Sequence, residues 1–401
     1  MSTVKVNGET FRTMVKAALS CTVKKSTFPM PECVLVKARN GKIEVCANSL
    51  DQAVRLTHLC DVNGEFCVIV NNTTMKKALN IKGGMFTLSY EAGTENLLKI
   101  SDGKKSMQLV CTVENDVCDY KGFTNVFNGE REHLFDVQCA ELLSGVKAVS
   151  PFRANDGKRP IFEGYHFDSL TGKVATIDGY RACRKKWKTL RQRNEYEFTA
   201  GSLLENIKNV FNSKSEFDVN VYSSGKYTLM VHNSDQFLTE YAVRNIEGEY
   251  LDIDKSIPNE FTTEISVVAG EVTEIAKEYK GYMNEKNKKA IILGTYSGKT
   301  YLYVSLNDIR VAQQIESKQD KTAYIFAGYN AEYTMDCFGV FGKNESVTVH
   351  YKSELNPLYV TNGEFECLLL PVRLAKSEWD HPEVYTEGMA TERENFENAC
   401  A

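Results

Sequence analysis

No run of about 18 consecutive apolar residues occurs in the 401-residue chain, so it offers no candidate transmembrane helix. The opening residues, MSTVKVNGET, lack the apolar core of a secretory signal, and a cytoplasmic location with no membrane partner is expected. None of the twelve cysteines forms a CxxC pair, and none has a histidine at metal-ligand spacing. They read as reduced, mostly buried thiols, with no metal and no cofactor expected. Histidine is scarce, six in all, and no GxSxG, HExxH or GxGxxG occurs. Those absences point away from an enzyme and leave no catalytic residues to nominate. Positive charge is not in excess either: 48 basic residues face 53 acidic ones, a net of -5. A freely diffusing DNA-binding domain is usually basic, so any contact with nucleic acid requires cations concentrated on one surface.

What remains is ordinary globular composition, 42% hydrophobic and 25% charged, in a chain with room for about two to four domains. One string, GTYSGKT at 294–300, invites a phosphate-loop reading. It has one residue too few between its glycines, and apolar strand-like segments flank it on both sides. A phosphate cradle needs a helix start after the loop, so the string reads as a hairpin turn. NDGKRP at 155–160 reads as a basic loop rather than a metal loop.

The chain repeats one layout three times. A β-rich segment leads into an amphipathic helix and then into a hairpin-like stretch. The copies are TVKVNGETFRTMVKAAL with CVLVKARNGKIEVCAN, HLFDVQCAELLSGVKAV with FEGYHFDSLTGKVATID, and TTEISVVAGEVTEIAKEY with KAIILGTYSGKTYLYVS. The turns Asn40-Gly41, Thr171-Gly172 and Ser297-Gly298 hold equivalent places. Each copy has a second half of the same kind, opening FCVIVNNTTMKKALN, YEFTAGSLLENIKNVF and AYIFAGYNAEYTMDCFGVF. The expected fold is therefore α+β, with three similar domains, each a pair of strand–helix–strands half-repeats. Connector-like segments place them at 1–128, 129–257 and 258–375, followed by an acidic, mobile tail at 376–401.

The helices are one-sided. Leu142, Leu143, Val146 and Val149 share a face, as do Leu203, Leu204, Ile207, Val210 and Phe211. Opposite faces carry Arg12, Lys16, Lys76, Lys77, Lys147, Lys208, Lys277 and Lys280. On a single helix such cations mark a solvated face; repeated on equivalent helices they suggest one shared basic surface.

Four stretches, taken with the repeat, resemble the bacterial sliding clamp family, the beta subunit of DNA polymerase III. ATIDGYRACR is similar to the family's ATDGHRLA signature, and EGEYLDIDKSIP to its GRFPDYRRVLP stretch. FAGYNAEYTMDCFGVF is similar to its third-domain helix FNVKYLLDVLNAL, and CLLLPVRL to its closing VVMPMRL. The resemblance covers residues 1 to about 374. It implies a DNA clamp fold and a homodimer, two chains joined head to tail as a ring, with helices lining the hole and sheets outside. Such a ring slides on duplex DNA because it reads no bases, its inward cations meeting phosphates loosely. The acidic total then belongs to the exterior. The loop after the first helix adds Lys24 and Lys25 to the DNA candidates, and the matching loop of the second domain adds Arg153, Lys158 and Arg159. Ring closure is expected to join the strand carrying Met107 and Leu109 to the region of Tyr282 and Met283.

The resemblance also implies a hydrophobic pocket between domains two and three. There, short peptides of the replicative DNA polymerase, clamp loader and repair proteins dock. Carried across, it comprises Phe162, Ile177, Gly179, Tyr180, Arg181, Ala182, Leu251, Ser256, Asn330, Tyr333, Leu368, Leu370, Pro371, Val372 and Arg373. Tyr180 stands for the usual histidine, Ala182 for a larger leucine, Leu251 for proline and Ser256 for valine, so a reshaped pocket is expected, with a preference for peptides other than the common bacterial pentapeptide. Two rival readings are a trimeric clamp of two-domain chains and a nucleic-acid-processing enzyme of repeated α+β domains, such as a nuclease. Three repeat pairs in one chain argue against the first, and the lack of a carboxylate or histidine cluster against the second.

Overall fold

The computed structural model describes residues 2–374 apart from 92, 94, 114–119, 213–215, 236, 285–288, 297, 307–308 and 321–322. The expected tail at 376–401 and Ser297 of the third turn lie outside the described residues.

At three places a strand ends on an asparagine that caps the next helix. Asn7 accepts hydrogen bonds from the backbone of Glu9 (2.9 Å) and Thr10 (3.2 Å), where strand Ser2–Asn7 becomes helix Gly8–Ser20. Asn71 accepts from Thr73 (3.0 Å), between strand Phe66–Asn71 and the helical turn Asn72–Met75. Asn330 accepts from Glu332 (2.9 Å) and Tyr333 (3.1 Å), between Phe326–Asn330 and helix Ala331–Gly339. The cap satisfies helix N–H groups that have no partner within the helix, so a strand passes into a helix without a loop. Strands Glu132–Gln138 and Thr263–Val268 likewise run directly into helices Cys139–Val149 and Ala269–Tyr282.

The α+β plan of repeated strand–helix–strands units is therefore present. One detail differs. The second-half helices of the first two copies are short: Asn72–Met75 continued by the 3-10 turn Lys76–Asn80, and the 3-10 turn Ser202–Asn206 continued by Ile207–Val210. Their starts are rich in Asn, Thr, Ser and Gly, which compete with the helix for backbone hydrogen bonds or raise its entropic cost. The apolar faces behave as expected: Leu142, Leu143, Val146 and Val149 are buried, as are Leu204, Ile207 and Phe211, while Leu203 and Val210 are half-buried.

One compact unit comprises Met1–Lys147, Phe167–Gly172 and Trp187–Glu247. Its five-stranded antiparallel sheet runs Asp61–Asn63, Ser2–Asn7, Met85–Glu91, Asn96–Ser101, Ser106–Cys111. Its nine-stranded sheet runs continuously from the second sequence repeat into the first, because Phe237–Arg244 pairs antiparallel with Gln52–Leu59, Tyr241 opposite Val54. In the same sheet Asn40 (φ 52°) and Gly41 (φ 72°) form a two-residue hairpin turn with both residues left-handed, the geometry that favours Asn-Gly.

The other unit comprises Ala148–His166, Lys173–Lys186 and Gly248–Ala401. Seven strands follow in antiparallel order: Lys173–Ile177, Arg181–Lys186, Phe365–Leu369, Leu358–Thr361, Ser346–Tyr351, Thr263–Val268, Ser317–Gln319. Here the second repeat meets the third, Cys183 opposite Cys367. A four-stranded sheet, Arg310–Ile315, Lys299–Ser305, Ala290–Tyr296, Phe326–Asn330, contains GTYSGKT as the hairpin expected of it.

Ten cysteines fall among the described residues; none is in a disulfide, and eight are buried. Desolvation pushes the Cys21 thiol up to about 12 and Cys60, Cys111 and Cys139 to about 11, so they remain protonated. Among the described residues no helix is long and apolar enough to cross a membrane.

Candidate partner-peptide site

The turn between strands Lys173–Ile177 and Arg181–Lys186 is built by one carboxylate. Asp178 accepts from the backbone N–H of Tyr180 (2.8 Å) and Arg181 (3.0 Å) through one oxygen, and from Arg181 Nε (3.0 Å) through the other. Gly179 sits at φ +92°, a conformation that strains any residue with a Cβ. The side-chain partner of Asp178 is thus the arginine three residues on.

Arg181 is fully engaged. Its guanidinium pairs with Asp336, donates to the Pro151 carbonyl (2.7 Å), and lies 4.2 Å from the Tyr333 ring centre and 5.3 Å from that of Phe152. It thereby fastens the turn to helix Ala331–Gly339. Tyr180 is left outside, 62% exposed, with its ring 6.3 Å from that of Tyr333.

Phe162, Ile177, Ala182 and Leu368 meet in one buried cluster with Ala154, Ala175, Tyr250 and Ile253. Tyr250 stacks on His166 (4.2 Å, 2°) and meets the edge of Phe162 (5.7 Å, 72°). Burial pushes its phenol up. In the connector, Tyr250 and Ile253 turn inward, whereas Leu251 is 45% exposed and Ser256 half-buried in the 3-10 turn Asp254–Ser256. The apolar spacing Tyr250, Ile253, Ile257 is the signal that could have found the inward residues. Arg184, nearly buried, pins that connector by pairing with Asp254 (2.8 Å) and Glu366 (2.5 Å), and its hydrogen bond holds the Asp254 carboxyl below its ordinary range.

The closing segment completes the site. Leu370 N–H donates to the Tyr180 carbonyl (2.9 Å) and Val372 N–H to the Gly328 carbonyl (2.8 Å). Leu370 and Val372 are 40% and 42% exposed, Pro371 is half-buried and Arg373 exposed. Asn330 lies at the edge of this region with its side chain spent on capping. The surface left over is apolar and bordered by arginines.

No family model matches the chain. In sequence it is 23% identical over 224 residues to the Beta sliding clamp of Streptococcus pneumoniae, over 54% of this chain and 58% of that one. The chain thus spans little more than half the length of the curated relatives it matches. In structure it aligns with the beta subunit from the DNA polymerase of Streptococcus pyogenes at TM-score 0.80 and 16% identity, covering 93% of this chain and 100% of that chain. The DNA polymerase III beta subunit of Thermotoga maritima aligns at 0.78 and 18%, covering 94% and 100%. The DNA polymerase sliding clamp of Bacillus subtilis aligns at 0.80 and 14%, covering 93% and 100%. The fold is that of the DNA polymerase sliding clamp.

Within this clamp fold the candidate cations divide. Lys16, Lys24 and Lys76 line one cleft of about 870 Å3, with Leu19, Val23 and Leu79 among its apolar walls. Lys25, Lys77, Lys147, Lys208 and Lys277 are exposed elsewhere. Lys280 is exposed but paired with Glu332 (3.3 Å), and Lys158 with Asp156 (3.5 Å). Arg12 is half-buried and donates to the carbonyls of Ile81 (2.9 Å) and Gly83 (3.3 Å) over the Phe86 ring. Arg153 donates to the Glu163 carbonyl (2.9 Å) over Tyr165, and Arg159 lies over Phe162.

At the candidate ring contact, Leu109 faces its own core at 2% exposure, Met107 is half-buried, and the strand turns Val110 outward at 59%. Tyr282 is 38% exposed with its hydroxyl on Glu278, and Met283 is half-buried. Among the described residues no group of His, Cys, Asp and Glu is placed to hold a metal ion.

Proposed function

We propose that the chain is a sliding clamp: two copies joined head to tail encircle duplex DNA, without sequence preference, and tether other proteins to it. The observation that carries the reading is the fold alignment, which spans 93% of this chain and 100% of a solved beta subunit. The chain is then divided at about residues 128 and 257 into three clamp domains. Its work is topological rather than catalytic, and it is done in the cytoplasm.

Two features support a ring. Strands Ser106–Cys111 and Arg310–Ile315 each end a sheet with a neighbour on one side only. Such edges are templates for another chain, and pairing one with the other between copies is a head-to-tail contact that closes. Met107, Tyr282 and Met283 flank that contact, with Leu109 supporting the strand from inside. Lys16, Lys24 and Lys76 meet DNA phosphates; loose, salt-sensitive contacts of this kind permit sliding. The patch at Tyr180, Tyr333, Leu370 and Val372, over the buried wall of Phe162, Ile177, Ala182 and Leu368, receives apolar side chains of short segments of the replicative polymerase, clamp loader and repair proteins.

Retention on closed circular DNA with release on linearisation is the expected result of a loading assay. Equal retention on both forms, or light scattering that finds only a monomer across the micromolar range, would refute the ring. Metal-dependent turnover of nucleotides would favour an enzyme instead.

A further inference from the structure

We propose that residues 375–401 of this chain occupy the exposed patch at Tyr180, Leu370 and Val372 as a tethered competitor of partner peptides; the competition, though not the docking, rests on the reading of that patch given above. Three observations lead there. The first is position. The closing segment crosses the patch, held by Leu370 to Tyr180 and by Val372 to Gly328, and ends with Leu374 packed on Gly328, where a Cβ would stand 2.6 Å from Leu374 Cδ2. The following 27 residues therefore start at the site itself. Trp379 is five residues beyond Leu374 and can lie at most about 17 Å from it. A segment tethered this closely has an effective concentration in the millimolar range.

The second is charge. Residues 375–401 hold seven acidic and two basic side chains, which accounts for the whole net charge of -5 and leaves residues 1–374 balanced. The acidity of the chain is thus a property of this segment. The border of the patch is cationic: the Arg159 guanidinium lies beside Gly179, whose Cβ would be 3.6 Å from Nη1, and Arg373 is exposed. Neither arginine has a carboxylate partner among the described residues. The third is composition. EWDHPEVY at 378–385 interleaves Trp379, Val384 and Tyr385 with Glu378, Asp380 and Glu383, apolar anchors and acids in one short stretch. An apolar patch bordered by arginines is complementary to it.

The chain carries its own reporter. Its two tryptophans are Trp187, 5% exposed, and Trp379. Subtracting the fluorescence of the Trp379→Phe full chain from that of the wild type isolates Trp379 without disturbing the folded body. The expected spectrum is blue-shifted and protected from acrylamide relative to a synthetic 375–401 peptide. Protection should be lost in Arg159→Glu/Arg373→Glu and in Tyr180→Ala, each checked for an unchanged melting temperature. A synthetic copy of the common bacterial pentapeptide should expose Trp379, and should bind the Trp379→Ala/Tyr385→Ala chain about tenfold tighter if the segment fills the patch nine-tenths of the time. Trp379 as red and as quenchable as in the free peptide overturns the proposal, as does protection that survives both patch variants. If Trp379 is protected but the pentapeptide binds neither chain, the docking stands and the competition with that peptide falls. If the pentapeptide binds both chains equally, the partner site stands and the competition falls.

Discussion

The Arg181 guanidinium lies over the Tyr333 ring, 4.2 Å from its centre, and pairs with Asp336 one helical turn further on. A residue that the family resemblance assigns to the peptide pocket is the fastener between the Asp178 turn and helix Ala331–Gly339. Its side chain is 10% exposed and that of Asp336 29%, so the pair is largely desolvated and loss of one partner strands the other.

Arg181→Ala should therefore destabilise the protein by on the order of 3 kcal/mol, as should Asp336→Asn to a lesser degree. Arg181→Lys should not rescue, because an ammonium cannot stack on Tyr333 while reaching both Asp336 and the Pro151 carbonyl. Thermal melts of the three variants and the double variant supply the measurement. Additive losses from Arg181→Ala and Asp336→Asn would show that the two side chains act independently.

Tyr180 is the opposite case. At 62% exposure its removal leaves no cavity, and Tyr180→Ala should change stability by no more than about 0.5 kcal/mol. In the Trp379→Ala/Tyr385→Ala chain the same change should weaken partner-peptide binding by about tenfold, the loss expected of an aromatic anchor. Calorimetric titration beside a melting curve separates the two effects.

The basic residues should separate in the same way. Replacing Lys16, Lys24 and Lys76, which share one cleft, by alanine should flatten the slope of log affinity for DNA against log salt by about 0.9 per lysine. Arg12→Ala should leave that slope alone and lower the melting temperature, since its guanidinium already serves the carbonyls of Ile81 and Gly83. DNA titrations at four or five salt concentrations decide the matter.

Burial depresses the imidazole pKa of His232, which stacks on Phe217 at 3.6 Å, and of His350. A histidine harder to protonate when folded favours the fold above the unfolded value of about 6.5, and that contribution is lost as pH falls through the lower folded value. Stability should thus decline from pH 7 toward pH 5. His232→Phe should reduce that slope and leave the share of His350; denaturant midpoints across this pH range that keep the full slope would show that His232 is not responsible.

What the sequence settled by itself is what depends on neighbours a few residues apart. The threefold repeat, the buried stripe of Leu142, Leu143, Val146 and Val149, the Asn40-Gly41 turn and the rejection of GTYSGKT as a phosphate loop all follow from periodicity and backbone preference. The stretch from Ile177 to Ala182 entered as a place of interest through its resemblance to the sliding clamp family. Tertiary structure alone decided which side chain of that stretch is free. Arg181 and Tyr180 are adjacent and equally plausible as ligands, but Asp336, 155 residues away, claims the arginine. Likewise Ile81 and Gly83 claim Arg12, and the sheet's own core claims Leu109. A charge or an apolar group is available for function only if no distant part of the chain has already satisfied it. That condition is set by packing, because the free energy of burying a polar group depends on the partner it finds there.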